Sequence, residues 1–228
     1  MKKLQVDLVT VNTVNPLVAL KAMDYTCKKL EFNNSYIFTN QNIKTNDHQT
    51  ISINKFRTID EYNNFVLDFN NFKFKSEYIL IIQADGFVIN PSKWTDNFYN
   101  YDYVGAPWPK NDKISNVKFG KEELLAKKKN RVGNGGFSLR SKKFLKYSSQ
   151  FNNCKGYPED LFLTAIQYEE ACRNKIYFPP PEEAYKFSIE TPLFGKTKDI
   201  VLDSRYSLGI SSFGFHGKHH KKYISLIS

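Results

Sequence analysis

Four short stretches of this chain put residues that do chemistry beside residues that make room for it. Gln83-Ala84-Asp85-Gly86 closes the apolar run Tyr78-Ile79-Leu80-Ile81-Ile82. A run of that kind reads as a strand buried on both faces, so Asp85 stands where open α/β sheets bind ligands, and Gly86 allows a turn or a close approach. The same Asp is equally a turn cap. In Val132-Gly133-Asn134-Gly135-Gly136-Phe137-Ser138-Leu139-Arg140, three glycines and an Asn can present backbone N–H groups to a ligand, or simply form a hairpin turn. Pro158-Glu159-Asp160 opens a helix with two carboxylates. The helix dipole alone favours them there, but one could also face a cleft as general base. Side chains of adjacent helix residues diverge by about 100°, so only one of the two is expected to do so. Finally, Phe213-Gly214-Phe215-His216-Gly217 places an imidazole between glycines, either as a core histidine or as an accessible ligand.

The elements that must position these residues begin with a strand over residues 4–11. A helix follows, with Asn15 as N-cap and Pro16 in its first turn, running to about Leu30. Strands are expected over residues 35–39 and 49–53. Thr58 and Glu61 form a capping box for an Asn-rich helix through Tyr62, Phe65, Val66 and Phe69, and the strand leading to Asp85 comes next. This β-α-β-β-α-β order implies an α/β fold with a mostly parallel central sheet flanked by helices. Beyond it the pattern gives a short helix over 91–98, a short strand over 102–104, and an exposed Lys-rich loop or helix over 110–130. A strand ending near Leu139 leads to a short helix capped by Ser141, and another helix runs from 157 to about Cys172. Residues 177–181 read as a rigid proline segment and 213–217 as a turn. No repeat or linker divides the 228 residues, so one domain is expected.

Composition narrows the function classes. No apolar run approaches the roughly 20 residues of a membrane span. Asp7 interrupts the only signal-like start, and a cytoplasmic protein is expected. Cys27, Cys154 and Cys172 offer neither a disulfide framework nor a zinc knuckle. The net charge of +10 favours anionic partners, though Lys-rich, Asn-rich composition also follows from an AT-rich genome. The basic clusters at 127–131 and 218–222 read as solvated surface or as a contact for phosphates. No Gly-Lys-Ser/Thr follows the glycine-rich stretch, and no Gly-x-Gly-x-x-Gly follows the first strand, which argues against a P-loop NTPase and a Rossmann oxidoreductase.

In order, Asp85, Tyr101-Asp102-Tyr103-Val104-Gly105-Ala106-Pro107-Trp108, Val132–Ser141, Pro158–Phe162 and Phe215-His216-Gly217 resemble the DUF5672 family and glycosyltransferases of the GT-A type over roughly residues 5–217. The resemblance implies a GT-A-like fold, with about residues 1–90 as a nucleotide-binding half and about 91–228 as an acceptor and catalytic half, and a divalent cation, Mn²⁺ or Mg²⁺, bound with a nucleotide-sugar co-substrate. Asp85 matches the last carboxylate of the Asp-x-Asp metal motif, while Gln83 stands where its first acid is expected and is assigned to the donor sugar or ribose. His216 matches a late metal-binding His. Asp160 matches the catalytic base, with Glu159 as its alternate. Gly135, Gly136, Asn134 and Phe137 fall in a segment lining the sugar and acceptor sites, Trp108 is suited to stack on a sugar, and Arg140 or Lys218 to screen the diphosphate. Thr10, Val11 and Asn12 occupy the strand end that holds the nucleotide base in this fold, beside Ala84.

The resulting expectation is a metal-dependent, inverting transfer of sugar from a nucleotide-diphosphate donor, UDP favoured, to an acceptor hydroxyl on a surface glycan. A phage-type enzyme acting on a hydroxymethylated base in DNA is an alternative carried by the positive charge. A non-catalytic nucleotide-sugar or carbohydrate-binding protein is another, carried by Gln83.

Overall fold

The computed structural model describes residues 1–108, 126, 129–190 and 212–227. The first strand, β1 (Lys2–Val11), is buried along most of its length and hydrogen-bonds in parallel with both β2 (Leu30–Thr39) and β4 (Tyr78–Ile81). Its apolar residues Leu4, Val6, Leu8 and Val9 therefore face covered surfaces on both sides of the sheet. A short β3 (Gln49–Ser52) pairs in parallel with β2. Two later strands, β5 (Tyr103–Gly105) and β6 (Ser138–Ser141), complete the order β3-β2-β1-β4-β6-β5, in which β6 runs antiparallel to both neighbours. The sheet is thus mostly parallel, with helices α1 (Pro16–Cys27) and α2 (Ile59–Leu67) in the crossovers.

Asp7 is fully buried in the middle of β1, yet its carboxylate is satisfied by the N–H groups of Lys75 and Ser76, the Ser76 hydroxyl and the Asn34 amide. Those bonds fix the chain as it enters β4, the strand that leads to Asp85.

Local details differ from the sequence reading. Helix α1 stops at Cys27, because Leu30 is taken up in register with Lys2 as the start of β2. Asn15 makes no side-chain cap; Asn12 Oδ1 accepts the N–H groups of Val14 and Asn15 instead. Thr58 caps α2 as expected, but Glu61 reaches back to Arg57 N–H rather than to that of Thr58. Residues 91–100 form two 3₁₀ turns, Pro91–Lys93 and Asp96–Asn100, instead of one helix.

Ser141 caps α3 (Lys142–Ser148) through the Phe144 N–H. The helix expected from residue 157 is broken into α4 (Glu159–Leu161), a π turn (Phe162–Ile166) and α5 (Tyr168–Arg173). Helix α6 (Pro181–Phe187) was not expected; the proline that reads as rigid coil sits in its first turn, where no N–H is needed. Residues 213–217 are not a simple turn, since β8 (Gly214–Phe215) pairs in parallel with β7 (Ser188–Ile189) as a second, two-stranded sheet. A last helical turn, α7 (Lys221–Ile224), follows. The expected loop over 110–130 lies outside the described residues except for 126, 129 and 130. Among the described residues, no helix is long and apolar enough to cross a membrane.

Candidate active site

Past β4 the chain makes a tight turn in which Gln83 and Gly86 exchange both backbone hydrogen bonds, at 2.9 and 3.0 Å. Ala84 and Asp85 form its tip, at the carboxyl edge of the parallel strands. The segment after β8 docks against this turn: Gly217 N–H donates to the Asp85 carbonyl at 2.7 Å. Gly86 permits the docking, since a Cβ there would lie 2.8 Å from His216 Cδ2 and 3.0 Å from the Phe215 oxygen. Gly136 closes in from the other side, where a Cβ would fall 2.1 Å from His216 Nε2 and 2.7 Å from Gln83 Oε1. Both glycines are thus required by close approach.

His216 is consequently surrounded. Its Nε2 lies 3.3 Å from Gln83 Oε1 and 3.8 Å from Asp85 Oδ1, and its Nδ1 lies 3.4 Å from Glu190 Oε1. The last contact has the distance of an ion pair without the alignment of a hydrogen bond. Burial alone would push this imidazole down, but Glu190, Asp85 and Asp160 outweigh it and hold the group above its ordinary range. Burial pushes the Glu190 carboxyl up, and His216, the Asn134 amide and His219 together bring it below the usual value. Glu190 reaches His216 because β7 and β8 are in register: His216 N–H donates to the Ile189 carbonyl, and each strand delivers its next residue to the same place.

The two carboxylates at the start of α4 separate as helix geometry requires. Asp160 is partly exposed, with Oδ2 accepting Gly135 N–H and Oδ1 accepting Leu161 N–H, both at 2.8 Å. Glu159 turns inward, where Arg140 Nη2 and Nη1 meet its two oxygens at 2.8 and 3.2 Å, and both residues are almost wholly buried. Burial raises the Glu159 carboxyl against the pull of Arg140, while the pairing holds the guanidinium proton still more firmly. The two-pronged contact keeps the pair charged. Arg140, expected at the diphosphate, and Glu159, the alternate base, are therefore spent on each other beneath the glycine-rich loop.

Other expected ligand residues are placed differently again. Phe137 is fully buried against Phe187 and Phe213, in the core and away from any acceptor. Thr10 is fully buried and its hydroxyl donates to the Ile82 carbonyl; Val11 is buried, and Asn12 uses its side-chain oxygen on its own turn. Trp108 lies with its ring over Gly133 beside Ala126, Leu161 and Ala165, partly exposed. Asn134 adopts a left-handed backbone, φ 62°, and is buried next to Glu190 with its Oδ1 unbonded. Lys218 is exposed just beyond His216.

Among the described residues, no group of three His, Cys, Asp or Glu side chains is arranged to hold a metal. Asp85 and His216 nonetheless fit a divalent cation as a pair, because such ions keep several waters or phosphate oxygens. His216 Nε2 packs against the Gly136 backbone, where a side chain would collide with it. Two residues escaped the sequence reading: Tyr62, whose hydroxyl accepts from Gln83 Nε2 at 3.1 Å, and Glu190. Glu190 gives no sequence signal, since the strand before it, Ser188–Ile189, is too short to show a pattern. Tyr62 has none, being one aromatic among several on α2.

A separate cleft of about 740 Å³ lies between α1 and β2, lined in part by Asp24, Ser35 and His48. His48 bridges Asp24 (3.0 Å) and Ser35 (2.7 Å), residue types that suggest a hydrolytic triad. The Ser35 hydroxyl, however, donates to the Asp47 carbonyl, so the cluster reads as a strut for the loop before β3.

The fold is that of GT-A glycosyltransferases. A glycosyltransferase involved in glycosylation of the major capsid of PBCV-1 superposes with a TM-score of 0.50 at 11% identity, over 97% of this chain and 98% of that one. The galactosyltransferase LgtC, in complex with donor and acceptor sugar analogues, gives 0.48 at 11% identity over 97% of this chain and 95% of its own. No curated protein sequence matches. The sequence pattern of the family described as protein of unknown function DUF5672 matches residues 45–201, most of the chain, and the chain belongs to that family.

Proposed function

We propose that this protein is a metal-assisted glycosyltransferase that moves a sugar from a nucleotide-diphosphate donor, UDP-sugar favoured, to an acceptor hydroxyl with inversion. The observation that carries this reading is the meeting of Asp85, Gly135–Gly136, Asp160 and His216, from four separate stretches, at the carboxyl edge of the sheet. Asp85 and His216 would hold Mn²⁺ or Mg²⁺, which when bound neutralises charge building on the departing diphosphate. Asp160 is the proposed base. Each of its oxygens accepts one backbone N–H, which fixes the carboxylate while leaving acceptor capacity for a substrate hydroxyl. Gly135 and Gly136 bring backbone rather than side chain against the sugar, and Trp108 offers a partly exposed ring. With Thr10 and Val11 buried, the nucleotide base would be met by Asn12 and backbone at the end of β1.

The acceptor is proposed to be a surface glycan. Calorimetric titration of UDP- and GDP-sugars with and without Mn²⁺ is the direct test, and metal-dependent binding of at least one donor is expected. Absence of binding in every condition sinks the proposal. A binding protein without catalysis would instead bind donor and never hydrolyse it. Asp160→Asn is expected to keep donor affinity and lose transfer by about 10²–10⁴-fold.

A further inference from the structure

Arg140 and Glu159 take no part in the chemistry above, although they lie directly beneath it. Arg140 stands on β6 between Ile79 of β4 and Tyr103 of β5, so its backbone is held in the sheet from both sides. Its guanidinium makes four donor contacts. Nε donates to the Ser138 hydroxyl at 3.0 Å and Nη1 to Glu159 Oε2 at 3.2 Å, while Nη2 reaches both Glu159 Oε1 at 2.8 Å and the Gly135 carbonyl at 3.4 Å. The Ser138 hydroxyl donates in turn to the same Gly135 carbonyl at 2.9 Å. On its other side Gly135 donates its N–H to Asp160 Oδ2 at 2.8 Å. Arg140 thus grips two separate stretches, the glycine-rich loop through the Gly135 carbonyl and the start of α4 through Glu159. A Cβ on Gly135 would lie 2.2 Å from Glu159 Oε1 and 2.9 Å from Arg140 Nη2, so glycine is what lets the loop rest on the ion pair. Stability alone does not account for such a pair. Taking two charges out of water is costly, and apolar residues of similar volume commonly serve a buried position as well or better. What they cannot supply is direction, because the planar fork fixes the angle and spacing of the groups that it bonds.

We propose that Arg140 is a positioning residue which, through Glu159 and the Gly135 carbonyl, sets Asp160 at a fixed place against the glycine-rich loop. Neither member of the pair touches substrate; both act by aiming the base. A lysine at 140 keeps the charge and loses the fork, whereas Met at 140 with Leu at 159 keeps the volume and loses both. The proposal rests on the reading of Asp160 as base, but its first test needs no sugar.

The experiment compares the native chain with Arg140→Lys and with the double variant Arg140→Met, Glu159→Leu, in which no buried charge is left unpaired. Urea unfolding of the double variant is expected to show unchanged or higher stability. Hydrogen exchange of the Gly135 amide, followed by ¹H–¹⁵N spectroscopy without ligand, is expected to speed up about tenfold or more in both variants, because its bond to Asp160 opens once loop and helix are no longer tied. Hydrolysis of UDP-glucose, UDP-galactose and GDP-mannose, with water as acceptor, supplies the activity readout. In both variants kcat is expected to fall about 10²-fold while KM changes by less than about twofold, since a displaced base costs the transition state and not donor binding. Native Gly135 exchange in the folded double variant overturns the proposal, as does native kcat, or a rise in KM at native kcat. Where the double variant fails to fold, Arg140→Lys decides by the same three readings. Faster Gly135 exchange in both variants, with a native chain that hydrolyses none of the three donors, upholds the tie between loop and helix and counts against the transferase reading.

Discussion

Glu159 and Asp160 show how much one residue of offset decides. The two are chemically near-equivalent in the sequence, and nothing in the motif says which faces solvent. In the fold, Glu159 is locked to Arg140 in a site with almost no exposure, while Asp160 looks into the cleft. Removing one partner of a buried ion pair leaves an uncompensated charge, so Glu159→Ala is expected to cost about 3–5 kcal/mol of stability by urea unfolding. Asp160→Asn, partly exposed, should cost about 1 kcal/mol or less and act on transfer alone. A larger stability loss for Asp160→Asn than for Glu159→Ala would mean that the two have been given each other's roles. Asp85 and His216 stand out in the sequence because each is a polar residue set among small or apolar ones, and the fold brings both to one edge of the sheet with Asp160, which the sequence alone does not separate from Glu159. Arg140 and Phe137 were assigned to ligands by resemblance alone, whereas the fold buries both, Phe137 in the core and Arg140 in β6, whose residues are covered on both faces.

Elements of two to four residues carry much of this site, and these were the hardest to read. Periodicity needs length, so β7 and β8 gave no signal, and Glu190 arrives in the cleft only through their register. The glycines were legible, but not which of them matter. Gly156 has φ +81° with open space around it, so Gly156→Ala should cost about 1 kcal/mol of backbone strain and leave ligand binding alone. Gly136→Ala should lose ligand binding as well as stability, because its Cβ would collide with His216 Nε2; Mn²⁺ and donor titration of both variants checks the contrast. The end of the chain adds a pH dependence. His219 and His220 both donate through Nε2 to the Glu190 carbonyl, at 2.5 and 2.9 Å. Burial, then the neighbouring His219, pushes His220 down from 6.5 to about 4. A lowered folded value means that the unfolded chain binds the proton first, so this stability is complete above pH 6.5 and is lost as the pH falls towards 4. Unfolding at several pH values should show a loss of at most about 3 kcal/mol that His220→Gln abolishes.

At the scale of the molecule, the sheet order was within reach of the sequence because alternating strands and helices permit few arrangements, whereas the insertion of antiparallel β6 between β4 and β5 depends on contacts far apart in the chain. The charge is distributed unevenly in a way that bears on the acceptor. The chain is basic overall, yet the cleft gathers Asp85, Asp160 and Glu190 around His216. Four lysines, Lys73, Lys142, Lys143 and Lys146, instead line a separate cleft of about 460 Å³ beside α3, and two of them are already paired with Glu77 and Asp102. Among the described residues, these carboxylates would repel a polyanionic acceptor such as duplex DNA, and the lysines lie away from them. Two salt responses then separate the acceptor classes. Binding that engages 6–10 phosphates falls by about 10³–10⁵ between 50 and 200 mM salt, whereas a diphosphate seated on a cation engages two and responds weakly. Donor affinity is therefore expected to change by less than about tenfold over that range. Duplex DNA should bind only at low salt, with no preference for a hydroxymethylated base. Retention of DNA at 200 mM salt with such a preference would move the acceptor from glycan to DNA.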